Sequence, residues 1–269
     1  MFRARLISGI VLVILALAVI LTGGPVLAAV LTAISVIGMN ELYRAVKVED
    51  GRFSPLALVG YLGCIFYYIL VFFGLTAYTM TVLIAFMILF MAVYVFTYPR
   101  YHVNQVTAAF FGVVYVAVML SCIYQLRVME NGKYLVWLIF LASWGCDTCA
   151  YCVGMLIGKH KMSPKLSPKK SVEGAVGGVI GAALLGAVYA YAVSGPMGGK
   201  PGYIPVFALI CAVGGLISMV GDLAASAIKR NYDIKDYGKL IPGHGGILDR
   251  FDSVIFIAPV IYYLAEFFI

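Results

Sequence analysis

Apolar runs of about 20 residues recur along nearly the whole chain, and each is long enough to cross the hydrocarbon core of a membrane. Glycine, proline or charged residues mark most of the boundaries between the runs. The pattern predicts nine transmembrane helices, at residues 6–22, 25–41, 55–74, 76–98, 106–126, 134–158, 174–194, 203–228 and 252–268. The predicted fold class is therefore all-α, a polytopic integral membrane protein.

The composition excludes an ordinary soluble protein. Hydrophobic residues make up 63% of the chain and charged residues 12%, whereas about a quarter of the residues of a soluble domain are charged. One boundary leaves two alternatives open: around Gly23, Gly24 and Pro25, residues 6–41 form either two short helices or one helix and a re-entrant segment.

The distribution of positive charge predicts the orientation. In the nine-helix arrangement, all but three of the 19 Lys and Arg residues fall on the side that holds the N-terminus, the exceptions being Arg127, Lys133 and Lys200. The positive-inside rule then places the N-terminus in the cytoplasm. Topology and attraction to anionic membrane lipids account for the net charge of +7 without nucleic acid as a partner. We expect a multi-pass protein of the inner (plasma) membrane.

Ionisable groups concentrate in the second half of the chain. Residues 1–130 are predicted to be scaffold helices and residues 131–269 the region with the functional candidates, both within one integrated membrane domain. In the scaffold, Glu41 and Arg44 lie three residues apart, a spacing that favours a local ion pair.

The segment CDTCAYCVG carries a carboxylate, Asp147, well inside a predicted transmembrane helix. An intramembrane carboxylate costs at least about 2.5 kcal/mol unless it faces a partner or a wet cavity, so it is a functional candidate. Tyr151, Gly154 and Gly158 share its helical face, and the glycines would let another helix approach closely. The alternative is a neutral Asp147 that is hydrogen-bonded to a neighbouring helix.

The same segment contains a C-x-x-C-x-x-C run, formed by Cys146, Cys149 and Cys152. This spacing resembles a metal or cluster ligand set. The run lies inside an apolar helix without a fourth cysteine nearby, so we do not expect a metal or cluster site here.

The loop GKHKMSPKLSPKKSVEG follows, with five lysines that include Lys165, Lys169 and Lys170. A solvated charge run that serves only topology is one interpretation. The interspersed prolines fix φ and give the loop more shape than topology requires. A shaped cluster of ammonium groups suits a polyphosphate.

The last polar stretch supplies carboxylates at helical spacing. Asp222, Ser226 and Lys229 are spaced i, i+4 and i+7, so they form one stripe on a helix. Asp249 and Asp252, at i and i+3, share a face of the final helix. If the three aspartates converge, either protons or bound cations must relieve their mutual repulsion, and all-oxygen ligands favour Mg²⁺ over zinc.

The segment PGHGG, residues 242–246, lies between these two helices. Its glycines can turn backbone N–H groups toward an anion. Together with the lysines and a metal ion, this loop indicates a site for phosphates.

The C-terminal polar stretch resembles the complete signature of the phosphatidate cytidylyltransferases, also called CDP-diacylglycerol synthases. The residues that carry this resemblance are Ser226, Ile228, Lys229, Arg230, Lys235, Asp236, Gly238, Pro242, His244, Gly245, Gly246, Ile247, Asp249, Arg250, Phe251 and Asp252. The upstream segments CDTCAYCVG and SPKKSVEG resemble the two other blocks of that family. The first 130 residues resemble it only in hydropathy.

The resemblance implies that CTP and phosphatidate react to give CDP-diacylglycerol and pyrophosphate at the cytoplasmic membrane face, with Mg²⁺ and a monovalent cation such as K⁺. The metal-binding carboxylates of the family match Asp222, Asp249 and Asp252, which we expect to be catalytic together with Lys229 and Arg250. The expected substrate-binding residues are Asp147, Tyr151, Lys165, Lys169, Lys170, Ser226, His244, Gly245 and Gly246. The family is also expected to form homodimers.

Two other functions remain open at this point. A CTP-dependent lipid kinase would share the lipid, the nucleotide and the metal, but it would release CDP rather than pyrophosphate. An ion-coupled transporter would also place Asp147 and Asp222 in the membrane. Transporters often contain internal repeats, and we detect none in this sequence.

Overall fold

The computed structural model describes residues 2–49, 54–164, 166–199, 202–241, 243 and 245–269, with side chains from residue 9 onward. The helices in chain order are α1 (Phe2–Thr22), α2 (Gly24–Ala45), α3 (Pro55–Phe72), α4 (Thr79–Phe96), α5 (Val103–Gly112), α6 (Met119–Val128), α7 (Gly132–Leu135), α8 (Trp137–Phe140), α9 (Cys146–Ile157), α10 (Val172–Val193), α11 (Tyr203–Asn231) and α12 (Leu248–Phe268). A 3₁₀ turn at Thr76–Tyr78 leads into α4. Two π-helical segments, Val113–Val118 and Leu141–Gly145, connect α5 to α6 and α8 to α9.

The membrane-spanning helices follow the apolar runs. Within the described residues, eight helices are long and apolar enough to cross a membrane, and Gly9–Thr22 is a shorter apolar helix. The all-α polytopic fold is therefore confirmed, while the count of nine spans and the orientation of the N-terminus stay predictions.

Two separate helices replace the ambiguous stretch near the N-terminus. Helix α1 ends at Thr22 and α2 begins at Gly24. Gly23 and Gly24 have φ angles of 64° and 50°, a backbone conformation that glycine adopts readily and other residues rarely do. The glycine pair thus allows the chain to turn between the two helices.

The chain divides into two compact units. The first comprises Met1–Tyr124 and Asn231–Phe251, and the second comprises Gln125–Arg230 and Asp252–Ile269. The predicted division at residue 130 concerns function rather than compactness, and it stays a prediction.

The first unit packs around Tyr43 of α2, whose side chain is fully buried. Its hydroxyl donates a hydrogen bond to the Ala109 carbonyl oxygen at 2.6 Å. A Cβ atom at Gly60 of α3 or at Gly112 of α5 would collide with the Tyr43 side chain. Small residues therefore let α3 and α5 close around one tyrosine.

Helices α9 and α10 of the second unit approach each other closely, as the glycines on the α9 face predicted. A Cβ atom at Gly174 would lie 2.7 Å from the Ala150 carbonyl oxygen, and Gly154 lies against Gly174. The predicted close approach at Gly154 is thus confirmed.

Two cysteines of the C-x-x-C-x-x-C run belong to the same packing surface. Cys146 lies against Gly178 and Cys149 against Gly181. Cys152 is exposed. Glycines of α10 therefore face cysteines of α9, which gives the first two thiols a packing role.

Candidate active site

The predicted face of α9 lines a cavity of about 520 Å³ in the second unit. Asp147, Tyr151 and Gly154, which are spaced i, i+4 and i+7, all contribute to its wall. Because one helical face carries all three, α9 presents a carboxylate and a phenol together.

The lysine-rich loop forms a β-hairpin. Strand β1 (Lys161–Ser163) pairs antiparallel with β2 (Ser167–Ser171), with Lys161 opposite Ser171 and Ser163 opposite Ser167. The prediction that this loop has a defined shape is therefore confirmed. Lys169 and Lys170 lie on β2, and both line the cavity.

Both ends of the hairpin are attached to the start of α10. The Ser171 hydroxyl accepts a hydrogen bond from the Gly174 N–H at 3.1 Å, which caps the helix. Glu173 accepts a hydrogen bond from the Lys159 N–H, and one of its carboxylate oxygens lies 2.5 Å from the His160 ring Nδ1. Lys170 directly precedes the cap residue, so the helix cap holds the Lys170 backbone at the edge of the cavity.

Lys170 forms an ion pair with Asp222 of α11. The Lys170 Nζ atom lies 2.6 Å from the Asp222 Oδ2 atom, and the two side chains are 27% and 31% exposed. An ion pair that is this accessible is partly screened by solvent, and its partners can be exchanged without unfolding the surroundings.

Asp252 reaches the cavity from the second turn of α12. The next residue, Ser253, is buried, and its hydroxyl lies 2.8 Å from that of Ser143 in the π-helical segment before α9. A Cβ atom at Gly221 would lie 2.9 Å from the Asp252 carbonyl oxygen. Gly221 precedes Asp222, so its lack of a side chain lets α11 and α12 approach where their aspartates enter the cavity.

The cavity combines charge with apolar surface. Three carboxylates and two ammonium groups line it, from Asp147, Asp222, Asp252, Lys169 and Lys170. The remaining wall includes methionines at positions 155, 162 and 219 and the exposed Tyr151 ring. Such a cavity can hold an anionic group beside an apolar chain.

A second arrangement of carboxylates lies in the first unit, in the segment that leads into α12. Here the Ile241 N–H donates to the Gly245 carbonyl oxygen at 2.9 Å and joins the two residues in an isolated antiparallel bridge. Gly243 and Gly245 have φ angles of 77° and 88°, so both positions require glycine.

Asp249 is held by the backbone of this segment. Its Oδ2 atom accepts hydrogen bonds from the Tyr237 N–H at 2.8 Å and the Gly246 N–H at 3.0 Å. The residue is only 6% exposed. The sequence predicted that the glycine turn would aim N–H groups at a substrate anion, but the Gly246 N–H binds a carboxylate of the protein itself.

Glu41 of α2 is a residue whose role sequence reasoning missed. Its two carboxylate oxygens accept hydrogen bonds from the N–H groups of Ile247, at 3.0 Å, and Leu248, at 2.8 Å. The local ion pair with Arg44 predicted from the sequence therefore does not describe this residue. The available signal was a carboxylate at the end of an apolar run, which by itself marks an intramembrane functional candidate.

The other predicted site residues lie elsewhere on the same helices or outside the described part. Ser226 and Lys229 are half-buried on α11, in the stripe that begins at Asp222. Arg250 is exposed in the first turn of α12. Lys165 and His244 lie outside the residues that the structure describes.

The oxygen-rich lining of the cavity suits a magnesium ion. Asp222 and Asp252 both line it, and Mg²⁺ in proteins is commonly bound by one or two carboxylates together with substrate phosphates. Among the described residues, no group of three or more His, Cys, Asp or Glu side chains forms a ready metal cage. The predicted convergence of Asp222, Asp249 and Asp252 on metal ions therefore stays a prediction.

Comparison with known proteins identifies relatives along nearly the whole chain. Residues 3–268 match the model of the Cytidylyltransferase family. A phosphatidate cytidylyltransferase of Bacillus subtilis is 28% identical over 99% of this chain and 98% of its own length. Those of Staphylococcus haemolyticus and Staphylococcus epidermidis are 29% and 30% identical over 96% of this chain and 97% of their own lengths.

The family match includes all the helices from α2 to α12, with the cavity of the second unit and the Asp249 segment of the first. The charged cavity and the helical membrane architecture are consistent with an enzyme that transfers a nucleotidyl group. The chain belongs to the Cytidylyltransferase family and is a nucleotidyltransferase of the membrane.

Proposed function

We propose that this enzyme transfers a cytidylyl group from CTP to phosphatidate, giving CDP-diacylglycerol and pyrophosphate for phospholipid synthesis. The observation that carries the proposal is the 520 Å³ cavity, in which three carboxylates and two lysines meet an apolar wall within a membrane protein. Relatives that match nearly the full length of the chain are named phosphatidate cytidylyltransferases. That name supports the choice of CTP and phosphatidate.

The reaction joins two anions, so charge neutralisation and positioning are its main requirements. The second pKa of a phosphate monoester is about 6, so the lipid phosphate is largely ionised at neutral pH and needs little help from a general base. One of its oxygens attacks the α-phosphorus of CTP, and the bond from that phosphorus to the oxygen bridging the α- and β-phosphates breaks. Lys169 and Lys170 bind phosphate oxygens and offset their charge.

The ion pair between Lys170 and Asp222 keeps both groups in the cavity before substrate arrives. When phosphate oxygens enter, the ammonium group can turn to them and leave the Asp222 carboxylate to a cation. Lys229 and Arg250 are proposed as further phosphate contacts, and Ser226, Lys165 and His244 as substrate contacts.

We propose Asp222, Asp249 and Asp252 as the carboxylates that hold Mg²⁺, with K⁺ as a second cation. When bound, Mg²⁺ would neutralise charge on the phosphate oxygens. The cavity contributes Asp222 and Asp252 to this set. Asp147 and Tyr151, which line the same cavity, are proposed as substrate contacts.

The apolar wall is the proposed place for the lipid part of phosphatidate. Tyr151 and Met155 on α9 are exposed, at 67% and 66%, although both line the cavity. We propose that this exposed part of the wall meets the hydrocarbon of the membrane, which would let a lipid reach the cavity without crossing water.

A pyrophosphate-release assay tests the proposal. Purified protein in detergent should release pyrophosphate only when CTP, phosphatidate and Mg²⁺ are all present, and the lipid product should contain CMP. Release of CDP with a phosphorylated lipid alcohol would instead identify a CTP-dependent lipid kinase. Ion flux in vesicles without pyrophosphate release would identify a transporter.

The proposal includes an orientation in the inner membrane, with the cavity facing the cytoplasm. Single cysteines at Lys161, which is exposed on the hairpin, and at Gly198, which is exposed after α10, test it in a cysteine-free background. A membrane-impermeant maleimide should label Lys161→Cys only from the cytoplasmic side and Gly198→Cys only from outside. Labelling of both positions from one side would overturn this topology.

A further inference from the structure

The carboxylate of Glu41 binds the first N–H groups of α12, although the two lie more than 200 residues apart in the chain. Its Oε1 atom accepts from the Ile247 N–H at 3.0 Å, and its Oε2 atom accepts from the Leu248 N–H at 2.8 Å. Leu248 is the first residue of α12. The first N–H groups of a helix have no partner within the helix, so Glu41 supplies a cap from a different helix.

Both carboxylate oxygens of this cap act as acceptors, one for each N–H group. Glu41 is only 7% exposed. The N–H groups at the start of α12 point toward it, and the positive end of the helix dipole favours an oxygen acceptor at this position.

The backbone of the loop is shaped around this carboxylate. A Cβ atom at Gly238 or at Gly246 would collide with a Glu41 carboxylate oxygen. Any side chain at either position would therefore displace Glu41 or push the loop away from it. The Glu41 carboxylate therefore accounts for the absence of a side chain at Gly238 and Gly246.

The same loop holds Asp249. Three consecutive N–H groups are divided between the two carboxylates, because Gly246 donates to Asp249 while Ile247 and Leu248 donate to Glu41. Consecutive peptide planes share a Cα atom. If Glu41 moves and the Ile247 N–H moves with it, the Gly246 N–H is therefore displaced as well. The orientation of the Asp249 carboxylate therefore depends on Glu41.

We infer that Glu41 is a positioning residue for the proposed cytidylyl transfer, which holds the Gly246–Leu248 backbone so that Asp249 presents its carboxylate to a divalent cation in one orientation. This inference rests on the proposed function and assigns to α2 of the scaffold a part in the active site. Glu41 itself contacts neither substrate nor metal in this account.

Glu41→Gln tests the inference because it keeps the size of the side chain but replaces one acceptor oxygen with an NH₂ group. Glu49→Gln is the matched control. Glu49 also lies in the first unit and accepts hydrogen bonds, from the Tyr61 hydroxyl at 2.9 Å and the Asn40 amide at 3.3 Å, but it is not bound to the loop.

Three measurements on purified full-length protein separate positioning from simple stabilisation. In Glu41→Gln, we expect hydrogen–deuterium exchange at Gly246–Leu248 to accelerate about tenfold, the size expected for losing one hydrogen bond to a charged group. The Mg²⁺ concentration that gives half of the Mg²⁺-induced rise in Tm should increase by a similar factor. Turnover of CTP with phosphatidate should fall, and Glu49→Gln should match the wild type in all three.

Wild-type exchange and wild-type Mg²⁺ dependence in Glu41→Gln would overturn the inference. A lower Tm of Glu41→Gln with unchanged Mg²⁺ dependence would also overturn it, because Glu41 would then be merely structural. So would the finding that the Tm of the wild type does not respond to Mg²⁺. If Glu41→Gln does not fold, Glu41→Asp, which keeps both oxygens on a shorter side chain, is judged by the same criteria. Absence of CDP-diacylglycerol synthesis by the wild type would refute the proposed function, while the exchange measurement would still decide the Glu41 contact.

Discussion

Asp249 in the first unit and Asp222 in the second are both proposed metal ligands, yet their surroundings differ. Asp249 is nearly buried, and two backbone N–H groups bind its Oδ2 atom. Asp222 is about one-third exposed, and its Oδ2 atom is bound by the side chain of Lys170. A carboxylate held by backbone groups is part of the fold, whereas one held by a flexible ammonium group can change partners when a substrate arrives.

The comparison indicates that the two aspartates differ in how firmly the fold positions them before a substrate binds. The Asp249 segment is preorganised by the fold, through glycines and the Glu41 cap. The cavity that contains Asp222 is lined by partly exposed charged side chains, which we propose rearrange around phosphates. Substitutions in the first region should therefore affect structure and activity together, while those in the second should affect catalysis and substrate binding with little change in stability.

The largest expected effect is in the cavity. Asp222→Asn keeps the size of the side chain but removes its charge, so we expect pyrophosphate release to fall by about 10²-fold or more, as for loss of a preorganised electrostatic group. The level of folded protein should stay normal. Asp233→Asn is the control, because Asp233 is exposed and asparagine tolerates its positive φ of 53°. Near-normal turnover in Asp222→Asn at limiting Mg²⁺ would remove this residue from the proposed metal set.

The next largest effect should come from the preorganised segment. Gly246→Ala places a methyl group against the Glu41 carboxylate, so we expect both Tm and turnover to fall, turnover by about tenfold for a conflict of about 1.4 kcal/mol. In a Glu41→Ala background, Gly246→Ala should lower Tm and turnover much less, because the Glu41 carboxylate is absent. A double-mutant cycle measures this coupling, expected at about 0.5–3 kcal/mol for residues in contact. Additive effects would mean that Glu41 is not the reason for the glycine.

Two adjacent lysines test whether exchange of partners matters in the cavity. Lys170→Gln removes the ammonium group that is proposed to turn from Asp222 to the phosphate oxygens, so we expect the KM for CTP to rise about tenfold, in line with the loss of one charge-assisted contact. Lys169 is exposed, and Lys169→Gln should raise the KM for CTP by less than Lys170→Gln does. The KM for phosphatidate should change less than that for CTP in both variants. A rise confined to phosphatidate would assign the hairpin to the lipid phosphate. Ionic strength must be fixed, since salt screens exposed charges over about 8–10 Å.

The smallest effect should come from the outer end of the hairpin. His160→Ala removes the contact with Glu173, but the His160 side chain is 80% exposed, so the pair is screened by solvent. We expect turnover and both KM values to stay within about threefold of the wild type, since exposed ion pairs contribute about 0–1 kcal/mol. A larger loss would show that attachment of the hairpin to α10 limits catalysis.

Helical periodicity and hydropathy predicted most of what is local in this protein. They located the membrane-spanning helices and the α9 face with Asp147 and Tyr151. They also identified the stripe that begins at Asp222. These features follow from the sequence alone because the period of a helix and the length needed to cross a membrane depend on nearby residues. The proline-rich lysine loop likewise indicated a shaped segment, and the structure forms a hairpin there.

Only the tertiary structure decided which partners the carboxylates have. Asp222 faces Lys170, more than 50 residues away, and Glu41 caps a helix more than 200 residues away. No periodicity connects such positions, because their contact depends on how whole helices pack. The sequence by itself determined an all-α membrane enzyme of a recognisable family. The folded chain decided that the turn before α12 binds two of the protein's own carboxylates, since its N–H groups must find acceptors wherever packing brings them.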